Sequence, residues 1–180
     1  MKKIFAILLV SILIFSLSAC GAEDMPQRGT GNGTTATMPV QNDTEPDESS
    51  FGLDETAIFQ NISVTATEIK KSGGSDFFEP DEGKIFVGVK FVIENTSSED
   101  QSISTLLLFD AYADDVKLDY SISAAMAFDE GTLDGNVSPG KRLEGYYGVE
   151  VPISTQKLEF EVKSGWLNSG KAVFLFDMPN

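Results

Sequence analysis

The sequence predicts an all-β fold, an antiparallel β-sandwich of about seven strands. Three observations support this. Short runs alternate apolar and polar residues with period two, turn-forming residues separate them, and the outward positions are polar, as in antiparallel sheets wetted on one face. Ile62, Val64 and Ala66 alternate with Ser63, Thr65 and Thr67. The longest case runs Ile85, Val87, Val89, Phe91 and Ile93, with Phe86, Gly88, Lys90, Val92 and Glu94 on the other face. Asn95-Thr96-Ser97-Ser98-Glu99-Asp100 then stops it. Ile103 to Ala111 reads as strand, Asp114-Asp115 as a tight turn, and Val116, Leu118 and Tyr120 as the returning strand. Leu143, Tyr147, Val149 and Val151 oppose Arg142, Glu144, Tyr146 and Glu150. Leu158, Phe160 and Val162 follow, and Ala172 to Phe176 closes the chain. Only Ser123 to Glu130 has the composition of a helical turn.

The first fifty residues differ in kind. Met1-Lys2-Lys3 is a basic head, and Ile4 to Leu17 is apolar apart from Ser11 and Ser16. Such a run reaches only about 21 Å as a helix, short of the ~30 Å hydrocarbon core, so residues 1–19 read as an export signal. Leu17-Ser18-Ala19-Cys20 resembles the lipobox of bacterial lipoproteins, in which the cysteine sulfur is acylated and becomes the first residue. Lipidation at Cys20 implies a partner, the lipid bilayer, and a location on the extracytoplasmic face of the cell membrane. Gly21 to Ser50 contains no Leu, Ile, Phe, Tyr or Trp, and Arg28 is its only base. It buries too little apolar surface to offset ordering entropy. Residues 20–53 are therefore expected to be a lipidated cysteine and disordered acidic tether, with the sandwich over residues 54–180.

Composition narrows the functions. Thirteen Lys and Arg against 28 Asp and Glu give a net charge of −15, which excludes nucleic acid as a partner. There is no histidine, so the commonest general base and metal ligand is missing, and the single cysteine permits no intramolecular disulfide or thiolate metal site. No catalytic residue and no cofactor are expected.

Further residues resemble a known family. Gly83-Lys84-Ile85-Phe86-Val87 leads into Ile93-Glu94-Asn95-Thr96-Ser97, and Ser138-Pro139-Gly140-Lys141 precedes Glu144-Gly145-Tyr146-Tyr147-Gly148-Val149-Glu150-Val151-Pro152. With the lipobox and tether, this resembles the telokin-like, immunoglobulin-like lipoprotein domain of many Gram-positive bacteria, a family of unknown function. The resemblance covers about Thr56 to Phe176 and implies an Ig-like sandwich. It brings no catalytic residues.

Candidate contacts remain. Phe77 and Phe78 adjoin in an acidic loop, one expected to plug the sandwich end and the other to be exposed for a partner. Tyr146 is expected to point outward beside Arg142 and Glu144, and Trp166 to cap the core edge. The partner is an extracellular protein or an envelope component. Asp76, Glu79, Asp81 and Glu82 offer an alternative, a calcium site for envelope or carbohydrate recognition, although they lack the ligand order of a calcium loop. A hydrolase using Asp129 and Asp134 is a further alternative. Ser138-Pro139-Gly140-Lys141 has S-x-x-K spacing, but Pro-Gly directs a turn where catalysis needs a helix.

Overall fold

The computed structural model describes residues 27–29, 50–75, 77–128, 131–165 and 170–178. Among the described residues, twelve strands and two short helices follow one another: β1 (Gln27–Gly29), β2 (Ser50–Phe51), β3 (Thr56–Ile58), β4 (Ile62–Ser72), β5 (Lys84–Asn95), β6 (Gln101–Ile103), α1 (Thr105–Leu108), β7 (Phe109–Ala113), β8 (Val116–Leu118), α2 (Ile122–Met126), β9 (Gly135–Val137), β10 (Arg142–Pro152), β11 (Lys157–Lys163) and β12 (Lys171–Asp177). Two five-stranded sheets face each other, ordered β1-β3-β4-β5-β10 and β2-β12-β11-β7-β8, and β6 pairs separately with β9. Every pairing is antiparallel except that of β2 with β12. The protein is a β-sandwich.

The inward positions of the alternating runs make the core. Val87, Val89, Phe91 and Ile93 meet Leu158, Phe160, Val162 and Phe174 from the opposite sheet, and all are buried. Phe91 is the hub, with its ring centroid 5.1 Å from Phe109 and 5.5 Å from both Phe160 and Phe174, each in the edge-to-face geometry that aromatic pairs prefer.

Local chemistry explains the turns. Asp114 and Asp115 both have positive φ, 46° and 66°, as a two-residue hairpin demands. The Asp114 carboxylate offsets that strain by accepting from the backbone N–H of Gln156 at 3.0 Å and Lys157 at 2.9 Å. Asn95 is fully buried, and its amide is saturated. Its Nδ2 donates to the carbonyls of Glu99 and Val137, both at 2.7 Å, while Oδ1 accepts from the Ser97 N–H at 2.9 Å and hydroxyl at 2.8 Å.

Three expectations change. The segment Ile103 to Ala111 is not one strand: β6 ends at Ile103, α1 intervenes, and β7 begins at Phe109. Leu106-Leu107-Leu108 lacks β-branching and favours a helical turn over a pleat. The folded unit starts before Asp54, because Phe51 is buried against Phe174. The tether is ordered at Gln27–Gly29, which pairs with β3. Arg28 explains this: its guanidinium binds the Glu55 carboxylate and the Ser50 carbonyl and lies 5.2 Å from the Phe51 ring centroid. Residues 1–26, with Cys20 and the signal, lie outside the described residues, as does Trp166.

Two measurements check this architecture. Val89→Asp should abolish the cooperative urea transition, because an unpaired charge in the core costs several kcal/mol out of a typical total of about 5–15. On the outer face of the second sheet, the ammonium groups of Lys117 and Lys163 each lie 2.7 Å from Asp110. Those bonds, Lys117's first, hold its carboxyl below the ordinary value. A lowered carboxyl contributes stability that is present at neutral pH and lost as pH falls through the folded value, below about pH 4. The urea midpoint of Asp110→Asn should therefore sit below wild type at pH 7, and the gap should close by about pH 2.

Candidate functional site

The outer face of the first sheet is not simply wetted. Gly88 on β5 sits directly opposite Gly148 on β10. A Cβ at Gly148 would stand 2.3 Å from the Ala125 backbone nitrogen, and one at Gly88 would stand 2.7 Å from the Phe128 ring. The bare backbone there lets α2 lie directly on the strands. Ser121 starts the helix by accepting from the Ala124 N–H at 3.1 Å. Phe86, Ala124, Phe128 and Tyr146 form a second buried cluster, and Phe78 packs against its edge.

This corrects the expectation for Tyr146. Its ring does point to the outer face, but it is 3% exposed because Phe128 stacks on it at 5.3 Å. Its hydroxyl donates to Glu68 at 2.5 Å, and the Lys70 ammonium, 3.3 Å from Glu68, lies 5.1 Å from the ring centroid. Burial, then the Glu68 bond, raise the Tyr146 phenol above its ordinary value, and the Tyr146 bond holds the Glu68 carboxyl low. Its neighbour Tyr147 faces the core, where burial pushes its phenol up to about 12.

Phe77 is the opposite case. Ser75 and Phe78 exchange backbone hydrogen bonds of 2.8 and 3.1 Å, so the chain doubles back and Phe77 stands at the tip, 88% exposed. Gly74, at φ 94°, makes the loop possible, since a Cβ there would stand 2.2 Å from the Phe78 carbonyl oxygen. Phe77 is thus the outward member of the pair, while Phe78 packs against the outer-face cluster and does not plug the space between the sheets. Ile153 and Val116 are also exposed at this end of the sandwich, where the Ile153 N–H donates to Gly83 at 3.1 Å.

The acidic residues are dispersed. Asp81 is 2.9 Å from Lys84, which also lies 3.4 Å from Glu150. Glu79 and Glu82 are exposed, and Asp76 lies outside the described residues. Among the described residues no three acidic side chains converge as metal ligands.

The other end holds what the sequence reading missed. Asp134, expected as half of an acidic pair, accepts from the Thr105 N–H at 2.9 Å and hydroxyl at 2.6 Å, so it caps α1. Asp129 lies outside the described residues. The cap turns Leu108 into the core and leaves Leu106 72% and Leu107 59% exposed. Beside them is a cavity of about 300 Å³ lined by Ile62, Ile103, Leu107, Leu108 and Ser164. The buried Ser164 hydroxyl has no hydrogen-bond partner among the described residues. Ser138 and Lys141 close a tight turn, with the Lys141 N–H donating to Ser138 at 2.9 Å, not a helical dyad.

The sequence profile of DUF4352, a domain of unknown function, matches residues 51–173. The chain belongs to that family. The DUF4352 sandwich is similar to solved structures at low identity. One is a candidate lipoprotein of Bacillus subtilis, YcdA, at TM-score 0.55 and 14% identity, covering 65% of this chain and 36% of that one. The chain thus spans about a third of that protein's length. A second, the YjhA protein of the same organism, gives TM-score 0.54 and 15% identity, covering 71% and 99%. A β-sandwich protein of Clostridium difficile gives 0.50 and 15%, covering 78% and 100%. These likenesses show the fold. No curated protein matches the chain.

The two faces of this DUF4352 end predict opposite responses to truncation. Phe77→Ser should leave the unfolding free energy within about 0.5 kcal/mol of wild type. Phe128→Ala should cost about 3–5 kcal/mol, since it empties the cover over Tyr146. Urea unfolding of the two variants measures both.

Proposed function

We propose that this DUF4352 chain is a membrane-anchored bacterial surface lipoprotein whose sandwich presents the Phe77 loop to an extracellular protein or envelope component. The single observation that carries the reading is Phe77 itself. A large aromatic at 88% exposure, on a loop shaped by Gly74 and anchored by its partly buried neighbour Phe78, is available for contact. The lipobox-like Leu17-Ser18-Ala19-Cys20 supports the anchor, and so does the similarity in fold to the candidate lipoprotein YcdA. The telokin-like resemblance of the strand motifs agrees with a display module. Nothing in the arrangement requires chemistry: Asp134 is engaged as a cap, and Ser138 and Lys141 serve a turn. The module is non-catalytic, takes no cofactor, and faces the cell exterior.

Photo-crosslinking on intact cells tests this. A photoactivatable residue at position 77 should capture a discrete surface partner, and one at Leu175, on the outer face of the other sheet, should not. Equal capture at both positions defeats the reading. Cys20→Ala should abolish incorporation of a fatty-acid analogue and leave the protein unprocessed or released from membranes. Millimolar calcium should leave the melting temperature unchanged; a rise that Asp81→Asn removes would favour calcium-dependent recognition.

A further inference from the structure

We propose that the α1 end of the sandwich is a bilayer-contacting surface, with Leu106 and Leu107 entering the interface of the membrane that holds Cys20. The inference rests on the lipid-anchor reading above and adds an orientation to it. β1 runs antiparallel to β3, with Gln27 opposite Ile58 and Gly29 opposite Thr56. Ile58 precedes the turn into β4, and Ile62 at the start of β4 shares a cavity with Leu107 and Leu108. The chain toward Cys20 therefore leaves the sheet at the α1 end.

Length then limits orientation. Six residues lie between Cys20 and Gln27, so the seven steps joining them reach at most about 25 Å. Ile58 is level with Ser63 and so with Glu94, and Glu94 is ten residues from Lys84, where the Phe77 end begins. Ten strand residues span about 33 Å. With β1 docked, the leash is too short for an upright sandwich to turn its Phe77 end to the bilayer, whereas the α1 end reaches it directly. Arg28 keeps β1 docked through Glu55 and Ser50.

The chemistry of the α1 end suits that position. Gln101 to Phe109 carries no charge in a chain of net charge −15, and the exposed leucines stand at its centre. Two leucines alone bind lipid weakly. A covalent anchor on the same surface makes their contact intramolecular, which is where weak apolar contacts become effective. An acidic chain requires a zwitterionic lipid surface for this.

The test uses the full lipidated chain in phosphatidylcholine vesicles. Cys20 is the only cysteine and is acylated, so an introduced cysteine takes an environment-sensitive dye selectively. Dye on Leu106→Cys or Leu107→Cys should be quenched several-fold more by spin-labelled lipid than dye on Phe77→Cys. Adding Arg28→Ala should shrink that difference. Equal quenching at both ends, or stronger quenching at position 77, overturns the proposal while leaving the anchor intact. A wild-type chain that fails to sediment with the vesicles overturns the anchor reading and this inference together.

Discussion

The fold depends on one constraint: the β5–β10 ribbon is buried on both faces. Its inner face supplies Val87, Val89, Phe91, Tyr147, Val149 and Val151 to the core between the sheets. Its outer face carries Phe86 and Tyr146, too apolar to leave to water. A cover is therefore needed, and the cover needs room. The Gly88–Gly148 pair provides it by removing the side chains that would hold α2 off the sheet. Phe128 then fills the hollow, Phe78 seals its edge, and Phe77 is left outside. The packing of Phe78 against that edge thus fixes the base of the loop that carries Phe77.

Much of this was legible in the sequence, because a period of two states which side of a pleat each residue occupies. Val64, Val89, Phe160 and Phe174 are inward as alternation requires. The Asp114-Asp115 turn and the Asn95 turn follow from local chemistry and were legible too. What alternation cannot state is whether the outer face meets water. Tyr146 lies on the side that alternation gives it but in other surroundings, because its cover, Phe128, follows a five-residue helix and sits eighteen residues back along the chain. The signal present was the pair of glycines at matched register, which marks close approach of another segment. Asp134 was misread for a similar reason: its partners, the N–H and hydroxyl of Thr105, are twenty-nine residues away in sequence. Arg28 was visible as the only base of an acidic stretch, but its attachment to Glu55 and Ser50 depends on tertiary proximity.

The two ends of the sandwich are chemically unlike. One gathers Phe77, Ile153 and Val116 above a loop of scattered carboxylates, of which Asp81 is paired with Lys84. The other presents an uncharged helical turn held by a carboxylate cap and adjoins the edge where β1 enters. Between them, the outer face of the second sheet is a lattice of paired charges, Asp110 with Lys117 and Lys163, and Glu161 with Lys171. A surface so neutralised is a poor site for selective contact.

The parallel pairing of Ser50–Phe51 with Val173 and Phe174 joins β2, near the start of the folded unit, to its last strand. Phe51 cannot find its place against Phe174 until almost the whole chain has left the ribosome. β12 also pairs β11 over seven residues, so its arrival completes the second sheet. Such sequence-distant pairing makes folding slow and late, since loop closure must precede most of the gain. Completion of the second sheet thus waits on β12, whereas the first sheet begins with β3, β4 and β5, which pair as neighbours in sequence.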